Sequence, residues 1–178
     1  NLAKKYYPAV LGSIVRSAHE NNKIISAGIK INPLTFSVND IANNKNFNIS
    51  NNEVISVDVL SGRGTLYPAK SLKKIFPLKI FFYPHYFADY IFSLKVKHHK
   101  YKLLISCKAS VLSAEDFLEK QKNRKKLNLL KKVFSRKSTS YFLARIYFWY
   151  LASNKIEKIS LPFRLIISSI LGGLKIKK

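Results

Sequence analysis

Acidic side chains are scarce in this chain. Nine Asp and Glu residues face 32 Lys and Arg residues over 178 positions, which gives a formal net charge of +23. An excess of this size repels itself in an isolated compact domain. A polyanionic partner relieves that repulsion, and two kinds fit: nucleic acid, whose phosphates attract Lys and Arg, and an anionic membrane surface. So few carboxylates also leave little material for a metal-dependent phosphoryl-transfer site.

Cysteine is nearly absent, because Cys107 is the single one. One cysteine excludes an internal disulfide. It does not form a zinc site alone, and the spacing of His85, His98 and His99 does not match a zinc finger. The better interpretation of Cys107 is a small buried hydrophobic side chain. We therefore expect no metal site and no cofactor.

The sequence also lacks a recognisable catalytic motif. The adjacent pairs His19–Glu20 and His98–His99 are the only acid–base suggestions, and no Ser-His-Asp or Cys-His arrangement accompanies them. The glycines of Gly62-Arg63-Gly64 are not followed by the Lys-Ser or Lys-Thr of a phosphate-binding loop. We therefore predict no catalytic residue and no small-molecule substrate.

Long uninterrupted apolar runs are missing as well. The range 75–92 is interrupted by Pro77, Lys79 and Asp89. The range 159–171 contains Arg164 and is shorter than the roughly 20 residues that a bilayer span requires. No transmembrane span is expected.

What the chain does contain is enough apolar surface for a core. Hydrophobic residues make up 47% and aromatic residues 13%, with 12 Phe and 10 Tyr, which is not the composition of a disordered basic tail. Lys, Asn, Ile, Phe, Tyr and Leu are abundant, and their codons are rich in A and T. This bias favours an organelle of an AT-rich lineage.

The positive charge is concentrated in the second part of the chain. Residues 1–60 hold six bases and four acids, whereas residues 61–178 hold 26 bases and five acids. Small flexible residues at 61–64 mark the change. We therefore expect two functional parts, an RNA-binding module at 1–60 and a basic RNA-binding extension at 61–178.

Hydrophobic spacing predicts the elements of residues 1–60. Apolar residues from Val10 to Ala18 recur at helical spacing, and Pro8 suits a first helical turn, so a helix is expected over 8–20. The β-branched stretch 23–31, interrupted by Gly28, indicates a strand with a bend. Alternation over 53–59 indicates a half-buried strand.

Two alternating runs, 90–97 and 101–111, predict a basic β-hairpin in the extension. One of its faces would be apolar and the other would carry lysines, among them Lys95, Lys97 and Lys102. Exposed lysines also protect edge strands from aggregation, so this face is weak evidence for RNA.

A long basic helix is expected next, from Ser113 to about Phe134, because Ser113 to Asp116 resembles a capping box. Residues 120–126 contain no apolar side chain and the basic run continues to Lys137. A solvated helix face normally mixes both signs of charge, so the run favours RNA phosphates on several sides of the helix. The aromatic segment at 141–150 is expected to pack in a core rather than to stack on bases, and 155–161 to form a strand that Pro162 ends. Together these elements predict an α+β fold.

The expected RNA contacts are therefore the bases of these segments. They are Arg16, Lys23, Lys30, Arg63, Lys95, Lys97, Lys102, Lys120, Lys122, Arg124, Lys125, Lys126, Lys131, Lys132, Arg136 and Lys137.

Residues 14–59 resemble the small RNA-binding module, the alpha-L fold, of the small-subunit ribosomal protein S-four family. The similar pieces are His19 to Ile25, Ile29 to Asn32 and Asn51 to Val57, and residues 159–165 are similar to the C-terminal segment of organellar members. Pro33 stands where the family has Gly, and Asn51-Asn52-Glu53 replaces its Gly-Asp turn. The resemblance implies that Arg16, His19, Lys23 and Lys30 lie on RNA.

Charge and resemblance together predict a structural constituent of an organellar, mitochondrial ribosome. It would belong to the small subunit in the matrix and bind ribosomal RNA and neighbouring ribosomal proteins without catalysis. The alternative is a lipid-facing accessory subunit of a mitochondrial inner-membrane complex. A third interpretation is a different ribosomal protein with a lineage-specific fold.

Overall fold

The computed structural model describes residues 1–21, 23–44, 48–49, 53–76, 87–114 and 141–174, with side chains described as far as Leu165 in the last range. The chain has the α+β fold that the sequence predicts. Within these ranges the helices are α1 (Leu2–Lys5), α2 (Ala69–Ile75), α3 (Ala88–His98), α4 (Phe142–Ala152) and α5 (Lys155–Leu174), with a 3-10 turn at Ile41–Asn43. The strands are β1 (Ala9–Ser17), β2 (Ile24–Ser26), β3 (Ile29–Asn32), β4 (Ser37–Asp40), β5 (Val54–Ser56) and β6 (Lys102–Ser113).

Four strands form one mixed sheet in the order β2-β1-β6-β5. The central strands β1 and β6 run parallel, and β2 and β5 flank them in antiparallel orientation. The parallel register slips once, because Ser13 lies opposite Ser106 but Ile14 lies opposite Ser110, so β6 bulges between these positions. Strands β3 and β4 form a separate antiparallel pair. The long strands β1 and β6 thus form the centre of the fold.

Three groups of buried side chains hold the elements together, a small one of Ala9, Leu11 and Leu104 and two larger ones to which α3 contributes. The sheet core consists of Val10, Ile14, Val57, Leu60, Ile75, Val96, Tyr101, Leu103 and Ile105. The aromatic core consists of Ile29, Val59, Ile91, Leu94, Tyr141, Ala144, Phe148, Trp149, Leu151 and Leu161. The prediction that the aromatic segment packs in a core is confirmed, since Phe148 and Trp149 are buried there.

The helix predicted over residues 8–20 is wrong, because β1 occupies most of this stretch. Its apolar residues Val10, Leu11, Ile14 and Val15 are all buried. A central strand that is buried on both faces reads as a nearly continuous apolar run, and over so short a stretch such a run also matches helical spacing. The β-branched side chains at Val10, Ile14 and Val15 are the feature that favours the strand.

The predicted β-hairpin is wrong in its first strand and confirmed in its second. Residues 90–97 lie in α3, whereas 101–111 fall almost entirely in β6. Because α3 lies between the two cores, it buries Ile91 and Leu94 on one side and Val96 on the other. A helix with apolar residues on more than one side shows no clean helical period, and here it imitates alternation. Lys95 and Lys97 therefore do not share a strand face with Lys102.

The strand predicted at 155–161 is also wrong, because this stretch lies in α5, which continues through Pro162. A reciprocal capping box begins the helix. Asn154 Oδ1 accepts a hydrogen bond from the Glu157 amide at 2.8 Å, and Glu157 Oε2 accepts one from the Asn154 amide at 2.8 Å. Each bond satisfies a backbone donor at the helix start.

The β signals of the first part are confirmed in part, because the single strand predicted at 23–31 is two strands that belong to different sheets. Strands β2 and β3 flank Gly28, whose φ of 93° makes the predicted bend, and β5 lies within the predicted strand at 53–59. The four-stranded sheet joins strands from both sides of the 61–64 turn, because β6 lies between β1 and β5. The predicted basic helix lies outside the described residues, apart from Ser113 and Ala114 at and after the end of β6. Among the described helices, none is long and apolar enough to cross a bilayer.

Candidate functional site

The predicted RNA-binding residues divide into a described and an undescribed group. Nine lie outside the described residues. They are Lys120, Lys122, Arg124, Lys125, Lys126, Lys131, Lys132, Arg136 and Lys137. The seven that the structure describes are Arg16, Lys23, Lys30, Arg63, Lys95, Lys97 and Lys102.

Lys30 and Lys97 are brought together around Asp58. Lys97 Nζ lies 2.7 Å from Asp58 Oδ1, and the Ile31 amide donates to Asp58 Oδ2 at 3.2 Å. Burial alone would raise the pKa of Asp58. The hydrogen bonds from Lys97 and Ile31, with the charges of Lys97 and Lys30, outweigh burial and hold this pKa below its ordinary value. Asp58 therefore already neutralises part of the charge of this pair.

Three further predicted bases interact with their own chain. Lys23 pairs with Glu20 at 2.7 Å, Arg63 Nη1 donates to Ser113 Oγ at 2.9 Å, and Lys95 Nζ lies 6.0 Å from the centre of the Tyr147 ring. Arg16 is half-buried on β1, opposite Leu112 of β6. Lys102 is exposed at the start of β6.

A second polar cluster centres on Asp89 in the first turn of α3. Asp89 Oδ2 accepts a hydrogen bond from the Gly62 amide at 3.0 Å. Burial raises the pKa of the Asp89 carboxyl, and the bonds from the Gly62 and Tyr90 amides and the charge of Arg63 only partly offset it. Carboxyls whose pKa is shifted by burial and by a neighbouring charge occur at functional sites, and also in purely structural hydrogen-bond networks.

The 61–64 turn that faces Asp89 is held tightly against the sheet. Gly64 adopts a φ of 62°, and Ser13 Oγ donates to the Gly64 carbonyl at 2.9 Å. A Cβ at Gly64 would lie 2.6 Å from Val111 Cγ1, so only glycine fits here without a shift. Arg63 extends from this turn to Ser113 at the end of β6. The turn thus places the Gly62 amide against the Asp89 carboxyl, and the charge of Arg63 is close enough to lower the pKa of that carboxyl.

Two phenols and a serine complete the surroundings of Asp89. Burial, together with the Asp89 charge, raises the pKa of Tyr67 to about 12 and raises the pKa of Tyr90 still further. Ser93 is buried, and its hydroxyl accepts from the Leu60 amide at 3.1 Å and donates to the Leu60 carbonyl. The phenols therefore stay neutral at ordinary pH, and the group here that can gain or lose a proton is Asp89.

Asp89 was not predicted from the sequence as a candidate site residue. Its signal is that it is the only acid between Asp58 and Glu115, and that it stands within the aromatic stretch 75–92. Its main partner, Gly62, lies 27 positions away, and no local pattern connects the two. Over the described part of the chain, no three His, Cys, Asp or Glu side chains come together as metal ligands. Cys107 is a free thiol and half-buried, and burial raises its pKa.

Comparison with protein-family models, with curated proteins and with solved structures found no match for this chain.

Proposed function

We propose that this chain binds ribosomal RNA as a non-catalytic constituent of a mitochondrial ribosome, in the small subunit. This proposal rests on positive charge that the acidic residues of the chain do not neutralise. Within the described residues, 18 bases accompany six acids. Each of these acids already accepts a hydrogen bond from its own chain; they are Glu20, Asp40, Glu53, Asp58, Asp89 and Glu157.

The remaining cationic charge suits a dense array of phosphates, which reward Lys and Arg through the release of counterions. The assignment to the S-four family is part of the same proposal. In that assignment β3 and β5 would correspond to the strands of the module, whereas β1 stands where the module has its helix. The most basic segment, residues 120–137, is proposed as the principal contact.

Co-sedimentation tests this proposal directly. The tagged chain should migrate with the small ribosomal subunit in a gradient at low salt, and its binding to purified ribosomal RNA should weaken steeply as salt rises. A chain that stays at the top of the gradient, or that binds RNA equally at all salt concentrations, would contradict it.

The geometry of Asp89 favours a second candidate function, which is catalysis. A half-buried carboxyl with a raised pKa, beside a turn held rigidly by Gly64 and Ser13, is suited to take a proton from an attacking hydroxyl group. The cationic chain suits a substrate whose leaving group carries phosphate. The candidate reaction is group transfer from a phosphate-linked donor: Asp89 takes the proton of the acceptor hydroxyl, the hydroxyl oxygen bonds to the transferred group, and the bond to phosphate breaks with its electron pair leaving on the phosphate.

The catalytic candidate has its own test. The purified chain is incubated with phosphorylated and nucleotide-linked donors, and the released phosphate or nucleotide is followed by phosphorus NMR. Asp89→Asn should abolish release, whereas Asp40→Asn, a matched change at an acid of the β3–β4 pair, should leave it unchanged. Absence of release by the wild-type chain from every donor would remove this candidate and leave the RNA proposal standing.

A further inference from the structure

Helix α5 carries two apolar faces that point in opposite directions. Leu161 is 3% exposed and Leu165 packs with it against the aromatic core. Ile156, Ile159 and Phe163 are 80%, 84% and 69% exposed. Their spacing of three and four residues places these three side chains in one stripe, on the side of the helix away from Leu161. We call them the outer stripe.

The inner face explains how α5 is held, and so why the outer stripe faces outward. Besides Leu161 and Leu165, Arg164 anchors the helix to the β3–β4 pair. Its guanidinium donates to the Pro33 carbonyl and lies 4.9 Å from the centre of the Phe36 ring. The helix cannot turn its outer stripe inward without breaking these contacts. Large apolar side chains grouped on a surface mark an interaction site, whereas scattered ones do not.

The charge beside the outer stripe is positive. Lys155 is exposed at the start of α5 and lies four residues before Ile159, so it flanks the outer stripe. Lys158 lies on another side of the helix, with its Nζ 4.4 Å from the centre of the Tyr150 ring of α4. Glu157 is the only acid in the helix, and its carboxylate is engaged with the Asn154 amide. The sequence after α5 adds three more lysines within its last four residues. An apolar stripe with cations beside it complements a surface that is anionic outside and apolar below.

We propose that α5 docks the chain on an anionic phospholipid bilayer, with the helix lying parallel to the surface. The outer stripe enters the boundary between headgroups and acyl chains, and Lys155 meets lipid phosphates. The proposal is independent of the RNA proposal and of the Asp89 site, because none of their residues lies on the outer stripe.

Charge also argues against a second copy as the occupant. A symmetric contact through the outer stripe would bring Lys155 of two chains close together, with a net charge of +23 on each chain. Like charges of this size oppose association. Anionic headgroups attract the same residue.

Flotation with vesicles tests the proposal. The nuclease-treated chain is mixed with vesicles of neutral phosphatidylcholine, or with vesicles in which about one third of the lipid is anionic phosphatidylglycerol. Binding should require the anionic lipid and should decrease with salt. The triple variant Ile156→Ser, Ile159→Ser, Phe163→Ser should lose at least about tenfold in the partition coefficient.

A matched control is available on other elements. Leu34, Leu66 and Leu112 are 63%, 59% and 66% exposed and lie outside α5. The triple variant at these positions removes a similar exposed apolar surface and should float like the wild-type chain. Equal loss in both variants, or equal binding to neutral vesicles, would overturn the proposal.

Two further measurements test whether the result depends on folding of the triple variant and whether a second copy of the chain, rather than lipid, covers the outer stripe. Phe163→Trp should gain fluorescence that brominated lipids quench, whereas Leu112→Trp should not be quenched; this comparison does not depend on how the triple variant folds. Light scattering gives the molar mass in solution. A dimer that becomes a monomer in the α5 triple variant, without vesicle binding by the wild-type chain, would show a second copy to be the occupant and would overturn the lipid proposal.

Discussion

Asp89 Oδ2 accepts a hydrogen bond from the Gly62 amide at 3.0 Å, across 27 positions of sequence. This contact connects the start of α3 to the 61–64 turn and so determines the environment of the Asp89 carboxyl. Burial raises the pKa of Asp89 although the amide stabilises its charged form. The fold therefore holds this carboxyl at a cost in free energy when it is ionised.

Asp89→Asn should make the chain more stable at neutral pH, by on the order of 1 kcal/mol. Because the folded-state pKa is raised, the wild-type carboxyl is most compatible with the fold below its ordinary pKa, and stability falls as pH rises through the raised value. The amide oxygen of Asn keeps an acceptor for Gly62 and the side chain carries no charge, whereas the bond that Asp89 Oδ1 accepts from the Tyr90 amide is lost and limits the gain in stability. Urea unfolding from pH 4 to pH 8 should show an advantage of the variant that grows with pH. A variant less stable than the wild-type chain at pH 7 would indicate a purely structural carboxylate.

Asp58→Ala should destabilise the fold, in contrast to Asp89→Asn. It should lower the free energy of unfolding by about 1–3 kcal/mol, because the Ile31 amide and Lys97 lose their shared acceptor. The pKa of Asp58 is lowered in the fold, so its contribution is present above its ordinary pKa and is lost as pH falls through the lowered value. Unfolding measured at pH 7 and below pH 4 should therefore show a difference that shrinks in acid. Lys30→Met is the control and should change stability little, since Lys30 is exposed and acts on Asp58 only through its charge.

Gly28→Ala should destabilise the fold by more than about 2 kcal/mol. Gly28 has a φ of 93°, and an added Cβ would lie 2.5 Å from Val57 Cγ1 and 2.8 Å from Ile105 Cγ1. Gly62→Ala is the matched control, because its Cβ would meet Asp89 at 3.5 Å, an ordinary contact. Thermal unfolding of the two variants should separate them clearly. Equal effects would mean that the bend at Gly28 is not required.

Phe148→Ala should cost about 3–5 kcal/mol, because its ring is fully buried in the aromatic core against Phe87 and Trp149. Tyr150 is two positions away and about half exposed, so Tyr150→Ala should change stability far less. Unfolding free energies measured side by side check this. If Phe148→Ala left stability unchanged but weakened RNA binding, the aromatic segment would be a stacking surface rather than a core.

Replacing Lys122, Lys125 and Lys126 together by Glu should weaken RNA binding far more than it changes folding. Each lost phosphate contact should reduce the slope of the logarithm of affinity against the logarithm of salt by roughly 0.7–0.9. The control replaces the exposed Lys4, Lys70 and Lys73 by Glu, which changes net charge equally. Filter binding at several salt concentrations compares the two. The same loss in both variants would show that total charge matters and that the 120–137 segment is not a specific contact.

The sequence signals were reliable where one local pattern admitted one structure. Alternation over 101–111 predicted β6, and the β-branched run around Gly28 predicted strand structure where β2 and β3 lie, although not that they belong to different sheets. The sequence also contains the capping box of Asn154 and Glu157. Because proline rarely continues a helix, Pro162 was interpreted as the end of a strand at 155–161 instead. A helix that tolerates proline needs support from packing, and Leu161 and Leu165 supply it through the aromatic core.

Elements that are buried on several sides were not predictable in this way. The apolar residues of β1 fit strand and helix equally over a few positions, and α3 shows apolar side chains at odd and even positions because it separates two cores. The partners of the candidate cations were equally unpredictable from local sequence. Residue type identified Lys97 and Arg63 as cations, but their partners Asp58 and Ser113 lie 39 and 50 positions away.

By itself the sequence determined the net charge, the amount of apolar surface and the α+β class, because these depend on composition and on the local spacing of residues. Only the tertiary structure decided which strand lies beside which, which cations are engaged by their own chain, that Asp89 is a carboxyl held by a turn, and that α5 shows an apolar stripe to the outside. The reason is physical: burial and hydrogen bonding depend on which distant segments meet, and burial sets both the pKa of a carboxyl and the exposure of an apolar side chain.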